Sequence, residues 1–304
     1  MIEVPEELAA TQFKYGGEAG REFIAALPER AAEFLERWEL TRSGAAMHGW
    51  CALVLPVVRR DGSRAVLKLQ ALDEESVGEP VALRVWDGAG AVRLLDHDPV
   101  TGTMLLERLG GAARAGDVAG SWVHLSAVED AREAVRVLAG LLVRLTSVAA
   151  PPGLRRLGDV AERMLADVPD ALRLLGDVGE RRLLADCAAA VREVAGEPGD
   201  RLLHWDLHYD NVMAGAREPW LAIDPKPLAG DPGFDLMPAL DNRFDPAETL
   251  WRFDLLTEAL GLDRERAKAW TLGRVLQNSL WDLEDGEEGL QESQMSIARA
   301  LLAR

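Results

Sequence analysis

Apolar positions in the first third of the chain follow two periods. In residues 20–38, GREFIAALPERAAEFLERW, Phe23, Leu27, Phe34, Leu35 and Trp38 fall at helical spacing, with Pro28 expected to break the helix. Downstream, CALVLPVV and RAVLKLQAL are β-rich runs on either side of RRDGS. Asp61-Gly62 is a strong hairpin signal, so two paired strands are predicted there. EPVALRVWDGAG predicts a helix from about Pro80, tolerated in a first turn, to the stop at Gly88. AVRLL and TMLLERL predict two more strands flanking the turn DHDPVTG. The first 110 residues thus predict a small sheet with one helix after its hairpin.

From about residue 120 the period becomes helical. Val128, Ala131, Val135, Leu138, Leu142 and Leu145 form one apolar face that ends before Pro151-Pro152, and Leu183, Leu184, Cys187, Val191 and Val194 form another. The polar octapeptide HWDLHYDN, residues 204–211, interrupts this pattern in a short β-type interlude, and the tail from ETLWRFDLL to ARALLAR is helical again. GGAARAG at 110–116 is the best linker candidate.

A chain of 304 residues exceeds the usual size of one domain, so two lobes with a cleft are expected. The fold class is α+β: a β-rich lobe over residues 1–106, a hinge near 105–110, and a larger helical lobe over 107–304. Cys51 and Cys187 lie far apart with no metal-ligand spacing and are expected as buried, reduced thiols. The N-terminus lacks the charge and apolar pattern of a secretory signal, and no apolar run is long enough to span a membrane, so a cytoplasmic protein is expected. A net charge of −17 disfavours nucleic acid and anionic membranes as partners and suits a cationic small molecule. A monomer or weak dimer is expected.

The octapeptide narrows the chemistry. His204, Asp206, Leu207 and Asn211 make the spacing H-x-D-L-x-x-x-N. In phosphoryl transfer the aspartate accepts a proton from the attacking hydroxyl, while an amide oxygen five residues on reaches Mg²⁺ on the phosphates. Asp224 in LAIDP is placed to supply a second metal ligand, and Mg²⁺ needs only a few hard oxygens because it keeps its waters. Lys68 in AVLK matches the strand lysine that pairs with the α and β phosphates of ATP. Glu79 is its natural carboxylate partner, ahead of Glu74 and Glu75. In LLERL, around Glu107 and Leu109, backbone groups would meet an adenine edge.

Together, Lys68, Glu79, HWDLHYDN and LAIDPKPLAGDPGFDL resemble the aminoglycoside phosphotransferase family, of protein-kinase-like fold. LLHWDLHYDNV, EPWLAIDPKPLAGDPGFDL and VLQNSLWDLEDG resemble its streptomycin 6-kinase and hydroxyurea phosphotransferase branch, from about residue 20 to 295. The resemblance implies that Asp206 is the catalytic base, that Asn211 and Asp224 bind Mg²⁺, and that Lys68 with Glu79 anchors the phosphates of ATP. It also implies that Asp235 buttresses the catalytic loop and that His204 is structural. Trp205 departs from the protein-kinase pattern, which has arginine there to meet a phosphorylated loop; D-F-G and A-P-E are absent. An enzyme active without phosphorylation follows. The presumed nucleotide loop, SGAAMHGW at 43–50, holds only Gly44 and Gly49 and has no G-x-G-x-x-G cradle.

Substrate contacts are expected from His208, or from acids able to pair with a guanidinium fork: Asp241, Asp282 and Asp285, with Asn278 one turn before Asp282. The ordinary alternatives are a structural histidine and a solvated helix end. Lys226 either meets phosphate or lies at the surface. Trp38, Trp86 and Trp251 are expected in the core, whereas Trp281 abuts the acidic run DLEDGEE. The favoured activity is ATP-dependent phosphorylation of a streptomycin-type hydroxyl. The alternatives are a kinase for hydroxyurea or another small hydroxylated compound, or a non-catalytic protein that sequesters the drug.

Overall fold

The computed structural model describes residues 2–110 and 122–304. The chain divides into two compact units, Met1–Gly110 and Gly111–Arg304. Most of the linker candidate at 110–116 lies outside the described residues.

The first unit begins with α1 (Glu6–Tyr15) and α2 (Gly17–Arg37). The strands β1 (Thr41–Arg42), β2 (Met47–His48), β3 (Ala52–Val58) and β4 (Arg64–Gln70) follow, then α3 (Glu79–Trp86), β5 (Leu94–His97) and β6 (Met104–Glu107). The sheet is antiparallel with order β1-β3-β4-β6-β5, and β2 joins β3 beside β1. The β3–β4 turn closes with Arg59 and Ser63 bonded at 2.9 Å, and Gly62 takes the left-handed φ of 83° that favours glycine.

Strand alternation decides where chemistry can sit. Ala65, Leu67 and Leu69 of β4 join Leu53, Leu55 and Val57 of β3 in a core with Leu8, Phe23, Leu27 and Phe34 of the two N-terminal helices. Each of these buried Leu, Val and Phe side chains stabilises by about 1.5–3 kcal/mol. The intervening residues of β4, including Lys68 and Gln70, therefore face away from that core.

Pro28 does not break α2, which runs through it with Phe23, Leu27, Ala31 and Phe34 all buried. Burial of this face outweighs the roughly 3 kcal/mol that an interior proline costs. The pattern also missed α1, whose only buried residues are Leu8 and Gln12, too few to mark a helical face. β5 begins later than AVRLL implies and takes in Asp96 and His97 of the expected turn.

The first α-helix described in the second unit, after a 3-10 turn at Leu125–Ala127, is α4 (Ala131–Leu145), capped by Asp130, whose carboxylate accepts the Arg132 and Glu133 amides. Next come β7 (Arg155–Arg156), α5 (Leu157–Leu174) and α6 (Val178–Val194). A small sheet region holds β8 (Arg201–Leu203), β9 (Val212–Ala214), β10 (Trp220–Ala222) and β11 (Leu228–Gly230). β9 pairs with β10, and β11 lies between β7 and β8. Gly230 permits that packing, because a Cβ there would come within 2.7 Å of Leu157 Cβ. The chain ends in α7 (Met237–Asp241), α8 (Thr249–Leu260), α9 (Arg264–Glu284) and α10 (Glu292–Leu302). No helix among the described residues is long and apolar enough to cross a membrane.

Three burial expectations need correction. Cys187 is buried, and desolvation pushes its thiol pKa up to about 12, but Cys51 is only half-buried. Trp86 is a core residue, whereas Trp38 and Trp251 are half-buried. Trp251 takes the Arg132 guanidinium over its ring at 4.8 Å, an arrangement open to the edge of the fold.

Candidate active site

In the first unit, β4 places Lys68 and Gln70 on one face, opposite the first turn of α3. Lys68 Nζ donates to both carboxylate oxygens of Glu79 at 2.8 Å, and Gln70 Nε2 donates to Glu79 Oε2 at 2.9 Å. The side chains of Lys68 and Glu79 are only 6% and 0% exposed. Glu79 also benefits from the α3 N-terminal dipole. Removing either partner would strand a buried charge, at a cost of about 3–5 kcal/mol. The sequence reading overlooked Gln70, although its position two residues beyond Lys68 put it on the same strand face.

In the second unit, β8 delivers the chain into residues 204–211. Asp235, wholly buried, accepts the His204 amide at 2.9 Å and the Trp205 amide at 2.6 Å. Burial pushes its pKa up to about 7, against the pull of those two N–H groups and of the Arg274 charge. His204 Nε2 bonds the Ile223 carbonyl at 3.0 Å, while Nδ1 accepts the Asp206 amide at 3.3 Å. Burial lowers the His204 pKa to about 3, so the ring is neutral, with its proton on Nε2. The ring thus ties the loop to the strand segment leading to Asp224.

Asp206 itself is half-buried. Asn211 Nδ2 donates to its carbonyl at 2.9 Å and to its Oδ2 at 3.2 Å, leaving the Asn211 amide oxygen as the atom suited to a cation. The Ile223 amide donates to the Asn211 carbonyl at 2.9 Å, which sets the segment carrying Asp224 alongside Asn211. Lys226 Nζ donates to Asp224 Oδ2 at 3.2 Å, so Lys226 belongs to this cluster. One amide and one carboxylate are a hard-oxygen set that fits Mg²⁺ retaining waters and phosphate oxygens. The described residues contain no group of three or more His, Cys, Asp or Glu arranged for a metal, which sets this pair apart from a closed structural site.

Strain marks the same segment. Trp205 and Asp224 adopt left-handed φ values of 66° and 56°, each costing about 1–3 kcal/mol in a residue other than glycine. The Trp205 indole N–H is also buried without an acceptor. Local preference alone would not hold this geometry; the bonds to Asp235 and His204 do.

His208 is half-buried, with Nε2 3.9 Å from Asp206 Oδ2 and Nδ1 accepting the Asp210 amide at 3.2 Å. It lies beside Asp206 rather than in the core. Burial opposes ionisation of Asp210, but hydrogen bonds from Ser126 and Asn242 outweigh it and keep its pKa low. Asp282 lies in the last turn of α9, Asp285 caps its C-terminus and Asp241 ends α7: burial, then the charges of Glu287, Asp285 and Asp241, raise the Asp282 pKa. Asn278 donates to Met237 Sδ at 3.9 Å, which puts it on the α7-facing side of α9. Glu107 ends β6 and bonds Arg93 through both its side chain and its amide, and Leu109 is buried two residues later. β2 takes up Met47 and His48 of the presumed nucleotide loop, and His48 Nε2 meets Glu7 Oε2 at 2.9 Å.

The profile of the aminoglycoside/hydroxyurea antibiotic resistance kinase family matches residues 37–286. This chain belongs to that family. It is 64% identical to a hydroxyurea phosphotransferase of Kitasatospora aureofaciens, over 100% of this chain and 87% of the relative. It is 57% identical to a streptomycin 6-kinase of Streptomyces glaucescens, over 99% of this chain and 97% of the relative. Among solved structures, aminoglycoside phosphotransferase APH(4)-Ia in complex with ADP and hygromycin B matches with a TM-score of 0.59 at 13% identity, over 90% of this chain and 97% of that one. A choline/ethanolamine kinase family protein from Mesorhizobium loti matches with the same TM-score at 16% identity, over 91% and 95%. These matches give the antibiotic resistance kinase its fold: protein-kinase-like, with a β-sheet N-terminal part and a helical C-terminal part.

Proposed function

We propose that this kinase transfers the γ-phosphoryl group of ATP to a hydroxyl of a streptomycin-type aminoglycoside. Asp206 accepts the proton of that hydroxyl, and the loop bonds to Asp235, His204 and Asn211 hold it for the task. Asn211 and Asp224 hold Mg²⁺, which when bound offsets charge on the phosphates. Lys68, fixed by Glu79, steadies the α and β phosphates, and Lys226 offers a further cation for the transferred group. Glu107 and Leu109 present backbone to the adenine. The enzyme would work in the cytoplasm, where ATP is at hand, as a monomer or weak dimer.

The observation that carries the reading is the braced Asp206–Asn211 pair with Asp224 alongside. The aminoglycoside preference is supported by Asp282, whose pKa is raised by burial and by the charges of Glu287, Asp285 and Asp241, and which a guanidinium-bearing ligand would relieve. A second reading, hydroxyurea as acceptor, is favoured by the relative at 64% identity. Incubation with ATP, Mg²⁺ and, separately, streptomycin, a kanamycin-type aminoglycoside and hydroxyurea, followed by mass spectrometry, separates the two. A phosphorylated streptomycin product is expected. Phosphoryl transfer to hydroxyurea alone would move the assignment to the second reading, and ligand binding without ADP release would make the protein a sequestering one.

A further inference from the structure

The residue before Asp206 carries the heaviest local constraint in the loop. Trp205 is fully buried with a φ of 66°, in a region that bulky side chains avoid. Two cations from distant parts of the chain meet its ring: Arg155 of β7, with Cζ 4.0 Å from the ring centroid, and Arg274 of α9, at 5.1 Å. Arg274 is also 5.3 Å from the ring of Trp281 and 5.9 Å from that of Phe234. Trp281 stacks on Trp205 at 6.2 Å with only 24° between the ring planes. Arg274 is itself buried, and its charge favours the ionised form of Asp235, the acceptor of the Trp205 amide.

We propose that Arg274 is a positioning residue for the phosphoryl-transfer loop: by bridging the rings of Trp205 and Trp281 it fixes the backbone that aims Asp206, and it couples that loop to the helix bearing Asp282. The reversal of roles supports this. An arginine at position 205 would put the cation on the loop and require an anion from elsewhere, as the protein-kinase pattern does with phosphate. Here the loop contributes the aromatic face, and α9 and β7 contribute the cations, so the contact is complete within the unmodified chain. Trp281 is partly exposed and immediately precedes Asp282, so an acceptor bound at the acids on α9 would press on the same stack. The proposal rests on Asp206 being the base.

Arg274→Met removes the charge and the planar fork, and Arg274→Lys keeps the charge alone. Steady-state kinetics, with hydrogen exchange of the segment 204–211 followed by mass spectrometry, tests both. Arg274→Met should lower kcat about tenfold with the KM for ATP little changed, and should speed exchange of that segment about tenfold; Arg274→Lys should fall between it and the wild type. Wild-type kcat and exchange in Arg274→Met would overturn the proposal, as would loss of protection spread evenly over the whole chain. If Arg274→Met does not fold, Arg274→Lys and Trp281→Leu decide by the same two measurements, and wild-type values in both overturn it. Because exchange needs no acceptor, an unchanged loop counts against Arg274, while a loosened loop in a protein that phosphorylates nothing counts against the assignment of Asp206.

Discussion

The two units handle charge in opposite ways. In the first, Lys68 and Glu79 are desolvated, bonded at 2.8 Å through both carboxylate oxygens, and reinforced by Gln70. In the second, Asp206, Asn211 and Asp224 stay half-exposed, and the buried groups around them, His204 and Asp235, serve only to hold the backbone. A fixed ion pair suits a group that must keep one position whether or not ligand is bound. Half-exposed carboxylates suit groups that exchange a proton or a cation during each turnover.

Removing the proposed proton acceptor tests this contrast most severely. Asp206→Asn keeps the size of the side chain and its ability to meet Asn211, yet should lower kcat on the order of 10³-fold while ATP binding persists. Isothermal titration with ATP and single-turnover phosphoryl transfer measure the two separately. Near-normal turnover would remove Asp206 from the chemistry.

Breaking the fixed pair should show a smaller kinetic effect and a larger structural one. Lys68→Met should reduce kcat/KM for ATP by about 10²-fold. Glu79→Gln should destabilise the protein by about 3 kcal/mol, since Lys68 would lose its buried carboxylate. Urea unfolding of the two variants checks the second figure, and equal stability to wild type would mean that the pair is not buried in solution. Below these in size, Asp282→Asn should raise the KM for streptomycin about tenfold and leave the KM for ATP unchanged, the loss of one charge-assisted hydrogen bond. An unchanged KM would place the acceptor elsewhere.

Sequence patterns exposed some of this design and hid the rest for identifiable reasons. The β3–β4 hairpin and α3 were legible because Asp61-Gly62, Pro80 and Gly88 are local signals whose meaning does not depend on the rest of the fold. The Lys68–Glu79 contact was legible because AVLK matches a phosphate-holding strand lysine, whose ammonium needs a carboxylate to fix it, and Glu79 opens the next helix. α1 was not, because a helix with two buried residues leaves no periodic trace. Pro28 misled because the local cost of proline was weighed without the face it interrupts. Arg155 and Arg274 were invisible as partners of Trp205: they come from β7 and α9, and nothing in their neighbourhoods marks them as different from surface arginines.

The smallest expected effect is the net pH dependence of stability contributed by His204 and Asp235, because these neighbours work against each other. The His204 pKa is depressed from 6.5 to about 3, so its contribution to stability is complete above 6.5 and is lost as pH falls toward 3, where the unfolded chain binds the extra proton. The Asp235 pKa is raised from 3.8 to about 7, so its contribution is complete below 3.8 and is lost as pH rises toward 7. At about 1.4 kcal/mol per pKa unit, each term amounts to a few kcal/mol, and across pH 4 to 6.5 the two slopes have opposite signs. Stability should therefore change little over this window through these two groups. His204→Gln removes one slope and leaves the other, so the variant should gain stability relative to wild type as pH is lowered from 6.5 toward 4. Asp235→Asn should do the reverse, losing stability relative to wild type over the same interval. Urea unfolding at half-unit pH steps measures both differences, and parallel curves for wild type and His204→Gln would show that His204 is not buried as a neutral ring. With both outcomes as expected, the loop that carries Asp206 would be held by two buried groups whose opposed titrations offset each other from pH 4 to 6.5.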